Sequence, residues 1–224
     1  MKLSIIAENR FWMAINKPAG LIVEKSPFES PTIEDLAWEY LEGTVKRPFL
    51  GIVHRLDRVT SGVLILAKKK LALRELNQQF SDRLVEKVYH VLTAAIPEHR
   101  EGELIDWLEK DQKNKKAILH LTKKTFTKRA ILNYKVLDQD DSKALLEIKP
   151  ATGRFHQIRA QLAQMDCPIL GDTKYGAQEA FAEKQIALHA YQLRFTCPLT
   201  KERISLTVDA PFGLDNDGKL KGSF

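Results

Sequence analysis

His54-Arg55-Leu56-Asp57-Arg58-Val59-Thr60-Ser61-Gly62-Val63-Leu64-Ile65-Leu66-Ala67-Lys68 sets two arginines and an aspartate directly ahead of an unbroken apolar run. The run VLILA, bounded by Gly62 and Lys68, has the length and flanks of a central β-strand. Charged groups held beside such a strand need partners, because burying an unpaired charge is costly. Asp57 lies between Arg55 and Arg58, so counter-charge is at hand and the carboxylate is expected to stay ionised. An ionised carboxylate in a cleft can serve as a nucleophile or an electrostatic stabiliser. The same residues could equally form an Asp–Arg network that only fixes a loop.

Outward from this stretch the chain alternates short strands with few helices. Residues 11–22 predict a strand running into a turn at Pro18 and Gly20. Thr32 is placed to cap a helix over 32–41, whose first turn carries the acids Glu34 and Asp35. A second helix is predicted over 71–80, followed by a strand over 87–96 rich in valine, tyrosine and threonine. Two alternating runs, from Arg129 and from Lys143, flank the acidic turn at 138–141 and predict a hairpin. A Thr-Gly turn then precedes a helix with Ile158, Leu162 and Met165 on one face. Two further strand-like runs close the chain. The pattern is α+β with more strand than helix, and lacks the regular alternation of a doubly wound sheet.

The chain has 224 residues, enough for one large domain or for two lobes sharing a core. Its hydrophobic fraction of 44% excludes wholesale disorder. Apolar segments are broken by charges too early for a conventional transmembrane helix, and the first residues lack a secretory cleavage pattern. Cys167 and Cys197 do not make a disulfide scaffold; each is expected to be a small buried hydrophobe in a cytoplasmic protein. The net charge is +6. Its placement says more: residues 110–129 hold eight Lys or Arg against one acid. Localised positive charge suits a phosphate backbone, although lysine runs also serve as solvated turns.

A second cluster, Thr152-Gly153-Arg154-Phe155-His156-Gln157-Ile158-Arg159, places two arginines and a histidine at the start of the last helix. Guanidinium groups near a helix N-terminus favour phosphate or carboxylate, so Arg159 could reach Asp57 and Arg154 could bind phosphate. His156 could equally be a hydrogen-bonded packing residue. Tyr89, on the strand over 87–96, could face core or cleft.

In this order the blocks resemble the RluA-type family of RNA pseudouridine synthases. The similarity runs through NKPAGLIV at 16–23, HRLDRVTSGVLILAK at 54–68, KVYHVL at 87–92, and ATGRFHQIRAQLA with CPILGDTKYG between 151 and 176. ALHAYQLRF at 187–195 extends it over nearly the whole chain. The resemblance implies a pseudouridine synthase fold: a central, mixed but mostly antiparallel sheet with flanking helices and a catalytic cleft across it. It implies one catalytic domain over 1–224, with two sublobes sharing an extended sheet as the variant, and no separate S4-type RNA-binding module.

The implied activity is the isomerisation of specific uridines to pseudouridine within structured RNA, ribosomal or transfer. The N-glycosidic bond breaks, the base rotates, and a carbon–carbon bond forms. Asp57 would be the catalytic aspartate. Tyr89 would stack on the target base and assist proton removal at carbon 5, and Arg159 would pair with Asp57. Arg55 would enter the RNA stack where the uridine flips out. Arg58, Arg154 and His156 would support RNA and the active-site loop, and Lys17 would shape the cleft. No cofactor or metal is implied. The remaining expectations are an RNA stem-loop as partner, gripped in part by the lysine-rich segment 110–129, and a monomer with no membrane association.

Two other functions fit parts of the pattern. A non-catalytic RNA-binding module would account for the basic segment but gives Asp57 no purpose, since an acid beside phosphate weakens binding. A base-releasing glycosidase would use a carboxylate at an anomeric carbon, but such enzymes usually present a pair, and the stretch 54–68 around Asp57 holds no second acid.

Overall fold

The computed structural model describes residues 2–214 and 220–222; the outer ends of the 1–224 span and residues 215–219 lie outside the described residues. In chain order the elements are β1 (Ile5–Glu8), β2 (Trp12–Lys17), α1 (Ile33–Thr44), β3 (Gly51–Ile52), β4 (Ser61–Ala67), α2 (Lys70–Ser81), β5 (Glu86–Thr93), β6 (Glu101–Asp111) and β7 (Lys116–His120). They continue with β8 (Lys128–Gln139), β9 (Ala144–Pro150), α3 (Gln157–Gln164), a 3-10 turn (Thr173–Tyr175), β10 (Leu188–Thr196), β11 (Arg203–Thr207), β12 (Phe212–Leu214) and β13 (Leu220–Gly222). The fold is α+β. No described helix is long and apolar enough to cross a membrane. The chain divides into two compact units: Met1–Lys87 with Ala190–Asp209, and Val88–His189 with Ala210–Phe224.

In the first unit the strand order is β1-β2-β4-β10, with β3 on β4 and β11 on β10. β2 pairs antiparallel with β4, from Trp12 opposite Ala67 to Lys17 opposite Gly62. All seven residues of β4 are buried, which is why its sequence from Val63 to Ala67 is continuously apolar instead of alternating. Trp12, Ile65, Leu76, Phe195 and Leu206 form the core here, with the Trp12 and Phe195 rings edge to face at 5.2 Å. A side chain as fully covered as Phe195 contributes roughly 1.5–3 kcal/mol by leaving water. Thr32 caps α1 as expected: its hydroxyl accepts the Asp35 N–H at 3.1 Å, and the Asp35 carboxylate accepts the Thr32 N–H at 3.0 Å. This reciprocal pair satisfies two of the orphan donors at the helix start.

In the second unit the order is β5-β9-β8-β6-β7. The predicted hairpin is β8 with β9, in antiparallel register from Leu132 opposite Pro150 to Gln139 opposite Ala144. Segment 110–129 is more ordered than a solvated turn: it includes the end of β6, all of β7 and the start of β8, and β6 and β7 pair as a second hairpin whose turn lies in it. The Asp111 carboxylate closes that turn by accepting the Asn114 backbone and side-chain N–H groups at 3.0 and 2.6 Å. Leu108 and Ala117 point inward with Ala130, Ala160 of α3 and Tyr175. Lys110, Lys116, Lys128 and Arg129 therefore sit on strands that also carry core residues, while Lys113, Lys115, Lys123 and Lys124 lie in the connecting turn and loop. Ile158 and Leu162 are buried as predicted, whereas Met165 falls just past α3, at its C-cap. Cys167 and Cys197 are both buried free thiols.

Candidate active site

Asp57 sits in the loop between β3 and β4, in the first unit, and is half-buried. The loop is anchored at both ends. At its start the His54 ring stacks on Phe80 at 4.8 Å, and its Nε2 accepts the Ile65 N–H of β4 at 3.1 Å. That bond requires an unprotonated Nε2, and burial together with the nearby Lys87 ammonium pushes the imidazole down to about 3. His54 is thus a neutral anchor. Within the loop the Thr60 N–H donates to the Asp57 carbonyl at 3.1 Å, and the Gly20 N–H donates to the Arg58 carbonyl at 2.8 Å.

Lys17, at the end of β2, is completely buried. Its Nζ donates to the carbonyls of Pro18 and Thr60 at 2.8 Å and of Arg58 at 3.3 Å. Three acceptors match the three N–H donors of an ammonium. Burial pushes this group down to about 7, and the Asp57 carboxylate opposes the shift. Lys17 therefore does two things for Asp57: it clamps the loop backbone and places a cation nearby.

The two flanking arginines do not supply the expected ion pairs. Arg55 pairs with Glu24 at 2.7 Å, and Arg58 pairs with Glu29. Arg55 is well exposed and Arg58 half-buried, and long side chains with surface glutamates within reach pair there at little desolvation cost. Lys17, which the sequence suggested only as shaping a cleft, is the buried cation of this unit that acts on Asp57.

Gly62 explains the TSG part of the stretch. It has φ of +114°, and a Cβ there would lie 2.3 Å from the Ala190 carbonyl oxygen of β10. Only glycine allows that approach of the two backbones.

The second unit carries Tyr89, Arg154, His156 and Arg159. Tyr89 lies on β5 opposite Ile148 and is partly exposed, so it is not simply a core side chain. Arg159, in the first turn of α3, is buried and held by Asp172 through two bonds of 2.7 Å, from Nε to Oδ2 and from NH2 to Oδ1. Its NH1 lies 3.1 Å from His156 Nε2. Guanidinium has no acceptor, so Nε2 must accept, and Nδ1 carries the proton that it donates to the Tyr175 hydroxyl oxygen at 3.0 Å. Burial, with Arg159, Lys174 and Lys110, pushes His156 down to about 3 and keeps it neutral. The Tyr175 oxygen also accepts the Ala117 N–H at 2.7 Å, and the Arg159 guanidinium lies 5.0 Å from the Tyr175 ring. Arg154 uses Nε to donate to the Arg129 carbonyl at 3.0 Å.

Asp172 and Tyr175 had no assigned role in the sequence. Their signal was the GDTKYG segment, a turn with one acid and one tyrosine, which does not by itself announce a buried ion pair. Among the described residues no group of three His, Cys, Asp or Glu side chains is placed to hold a metal ion.

Residues 12–164 match the RNA pseudouridylate synthase family. The chain belongs to that family. It is 35% identical over 210 residues to ribosomal large subunit pseudouridine synthase C of Rickettsia felis, covering 93% of this chain and 68% of that protein. It is 29% identical to tRNA pseudouridine synthase C of Vibrio parahaemolyticus, covering 91% of this chain and 89% of that protein. The chain spans about two thirds of the length of the ribosomal relatives, 65% for the Rickettsia conorii protein. Among solved structures it resembles human RNA pseudouridylate synthase domain containing 4, with a TM-score of 0.77 and 27% identity over 93% of this chain and 88% of that one. Human RNA pseudouridylate synthase domain containing 1 shares the fold, with a TM-score of 0.75 and 22% identity over 100% of this chain and 90% of that one. The pseudouridine synthase fold expected from the sequence is thus shown.

Proposed function

We propose that this protein isomerises specific uridines to pseudouridine in structured RNA. The observation that carries this is the family match over residues 12–164, a span that includes Asp57, Tyr89 and Arg159. Asp57 is assigned the catalytic carboxylate, acting on the sugar of the target nucleotide. Lys17 and the anchored loop support that role by holding the carboxylate in place before substrate arrives, the kind of preorganisation that lowers a barrier. The target base must leave its stack before any side chain can reach it. Tyr89 is assigned the aromatic surface on which it rests and the group that assists proton removal at carbon 5.

Arg159 is assigned as the basic partner of Asp57. Asp172 and His156 take three of its five N–H donors, which fixes the plane of the guanidinium. Arg55 is assigned to enter the stack vacated by the uridine; its exposed side chain, paired with the surface residue Glu24, can move at small cost. Arg58, Arg154 and the lysine-rich segment 110–129 are assigned to the RNA backbone. A non-catalytic RNA-binding module or a base-releasing glycosidase is not favoured by the family match.

The substrate is ribosomal or transfer RNA, as the names of the relatives suggest. The proposal includes a single catalytic domain that works as a monomer in the cytoplasm, which light scattering and cell fractionation check. Site-resolved pseudouridine mapping of total RNA, with and without this protein, tests the function and identifies the target. At least one uridine should lose its modification when the protein is absent. An unchanged map, with the purified protein inactive on both RNA classes, would overturn the assignment.

A further inference from the structure

We infer that Phe155, stacked on His156, is a second base-stacking platform that holds an unpaired nucleotide of the RNA other than the reacting uridine. This deepens the RNA-modifying assignment and rests on it.

Phe155 is a large apolar side chain with 37% of its surface exposed at the start of α3. It is not a loose surface ring. It lies 3.8 Å from the His156 ring, centroid to centroid, with 18° between the planes. His156 is itself fixed. Its Nε2 accepts from Arg159, its Nδ1 donates to Tyr175, and its backbone takes the left-handed conformation with φ of 50°. Two ring bonds and the buried Arg159–Asp172 pair beside it hold the imidazole in place. The outcome is an aromatic stack whose lower ring is immobilised and whose upper ring meets solvent.

The charge around it is cationic. Lys110 Nζ lies 5.0 Å from the Phe155 ring centre, and Lys116 Nζ lies 4.8 Å from the Tyr175 ring. Lys174 donates to the Lys115 carbonyl at 3.2 Å, and Arg154 to the Arg129 carbonyl at 3.0 Å, which brings two more basic side chains into this region. The nearby acids are engaged elsewhere: Asp172 on Arg159, Asp111 in the hairpin turn, and Glu109 on His120. A ring face for a base with ammonium groups for the adjoining phosphates is the arrangement that binds single-stranded nucleic acid with little sequence preference. Lys110, at the ring, is placed to move onto the phosphate of the stacked nucleotide.

The test measures affinity of the full chain for a short fluorescent oligouridylate and, in parallel, pseudouridine formation in ribosomal and transfer RNA. Phe155→Ala should weaken oligouridylate binding at least about fivefold with an unchanged salt slope, because a stack and not a charge is lost. Phe155→Trp should restore the affinity. Lys110→Ala should reduce the salt slope by about 0.7, one single-strand contact. Binding of Phe155→Ala within twofold of the parent, or no binding by the parent, overturns the inference. Loss of binding in Phe155→Ala beside an inactive parent would overturn the catalytic assignment and leave the platform standing.

Discussion

The Lys17 ammonium donates to the Thr60 carbonyl across 2.8 Å, joining the end of β2 to the far side of the Asp57 loop. Its other two bonds go to Pro18 and Arg58, so one buried side chain grips the loop at the first and third residues after the aspartate.

Lys17→Met keeps much of the volume and removes all three donors. The carbonyls of Arg58 and Thr60 lose their side-chain donor, and Asp57 loses a buried cation. A loss of about 3 kcal/mol of stability is expected, with a larger proportional fall in kcat than in substrate affinity. Urea unfolding and steady-state kinetics on the same preparation check both. Unchanged kcat would show that the clamp does not position Asp57.

The buried pair Arg159–Asp172 gives a second outcome. Asp172→Asn takes the Asp172 charge away from a buried guanidinium that it holds through two bonds, which costs about 3–5 kcal/mol. Tyr175→Phe is milder, at about 1–3 kcal/mol, because the groups it strands, the Ala117 N–H and the His156 Nδ1–H, are neutral. Thermal and urea unfolding should rank the two variants in that order.

Gly62→Ala should prevent correct folding. The added Cβ meets backbone of Ala190 at 2.3 Å, and backbone cannot swing aside as a side chain would. The positive φ adds strain, for a total on the order of 4 kcal/mol or more. Soluble yield and circular dichroism of the variant report this directly.

His54 makes stability depend on acid pH. Its imidazole is held at about 3 against an ordinary value of 6.5. As pH falls below that ordinary value, the unfolded chain takes up a proton that the folded chain refuses until about 3. Stability is therefore full above the ordinary value and declines toward the lower one. His156 acts in the same direction. The slope per histidine is up to about 1.4 kcal/mol per pH unit, and His54→Gln, which keeps an acceptor for the Ile65 N–H, should flatten it. Urea midpoints at about pH 4.5 and about pH 7 measure the difference.

Much of the fold was legible because its signals are local. The apolar run after Gly62, the Thr32 cap and the hairpin about residues 138–141 each carry their cause within a few residues. The site was legible only as a list of residue types. Asp57 stood out by its neighbours, yet its flanking arginines pair with Glu24 and Glu29, and the nearby buried cation is forty residues away in sequence. Asp172 and Tyr175 were missed for the same reason: an ion pair spanning thirteen residues and a tyrosine reaching a strand fifty-eight residues away leave no period in the sequence. The hairpin of β6 and β7 was hidden because its lysines mask the inward alternation of Leu108 and Ala117.

Tritium release from RNA labelled at uridine carbon 5 tests the central claim most directly, since carbon 5 loses its hydrogen only when the new glycosidic bond forms there. The parent protein should release tritium from ribosomal or transfer RNA, and Asp57→Asn should release none while still binding the same RNA. Full turnover by Asp57→Asn would contradict the account.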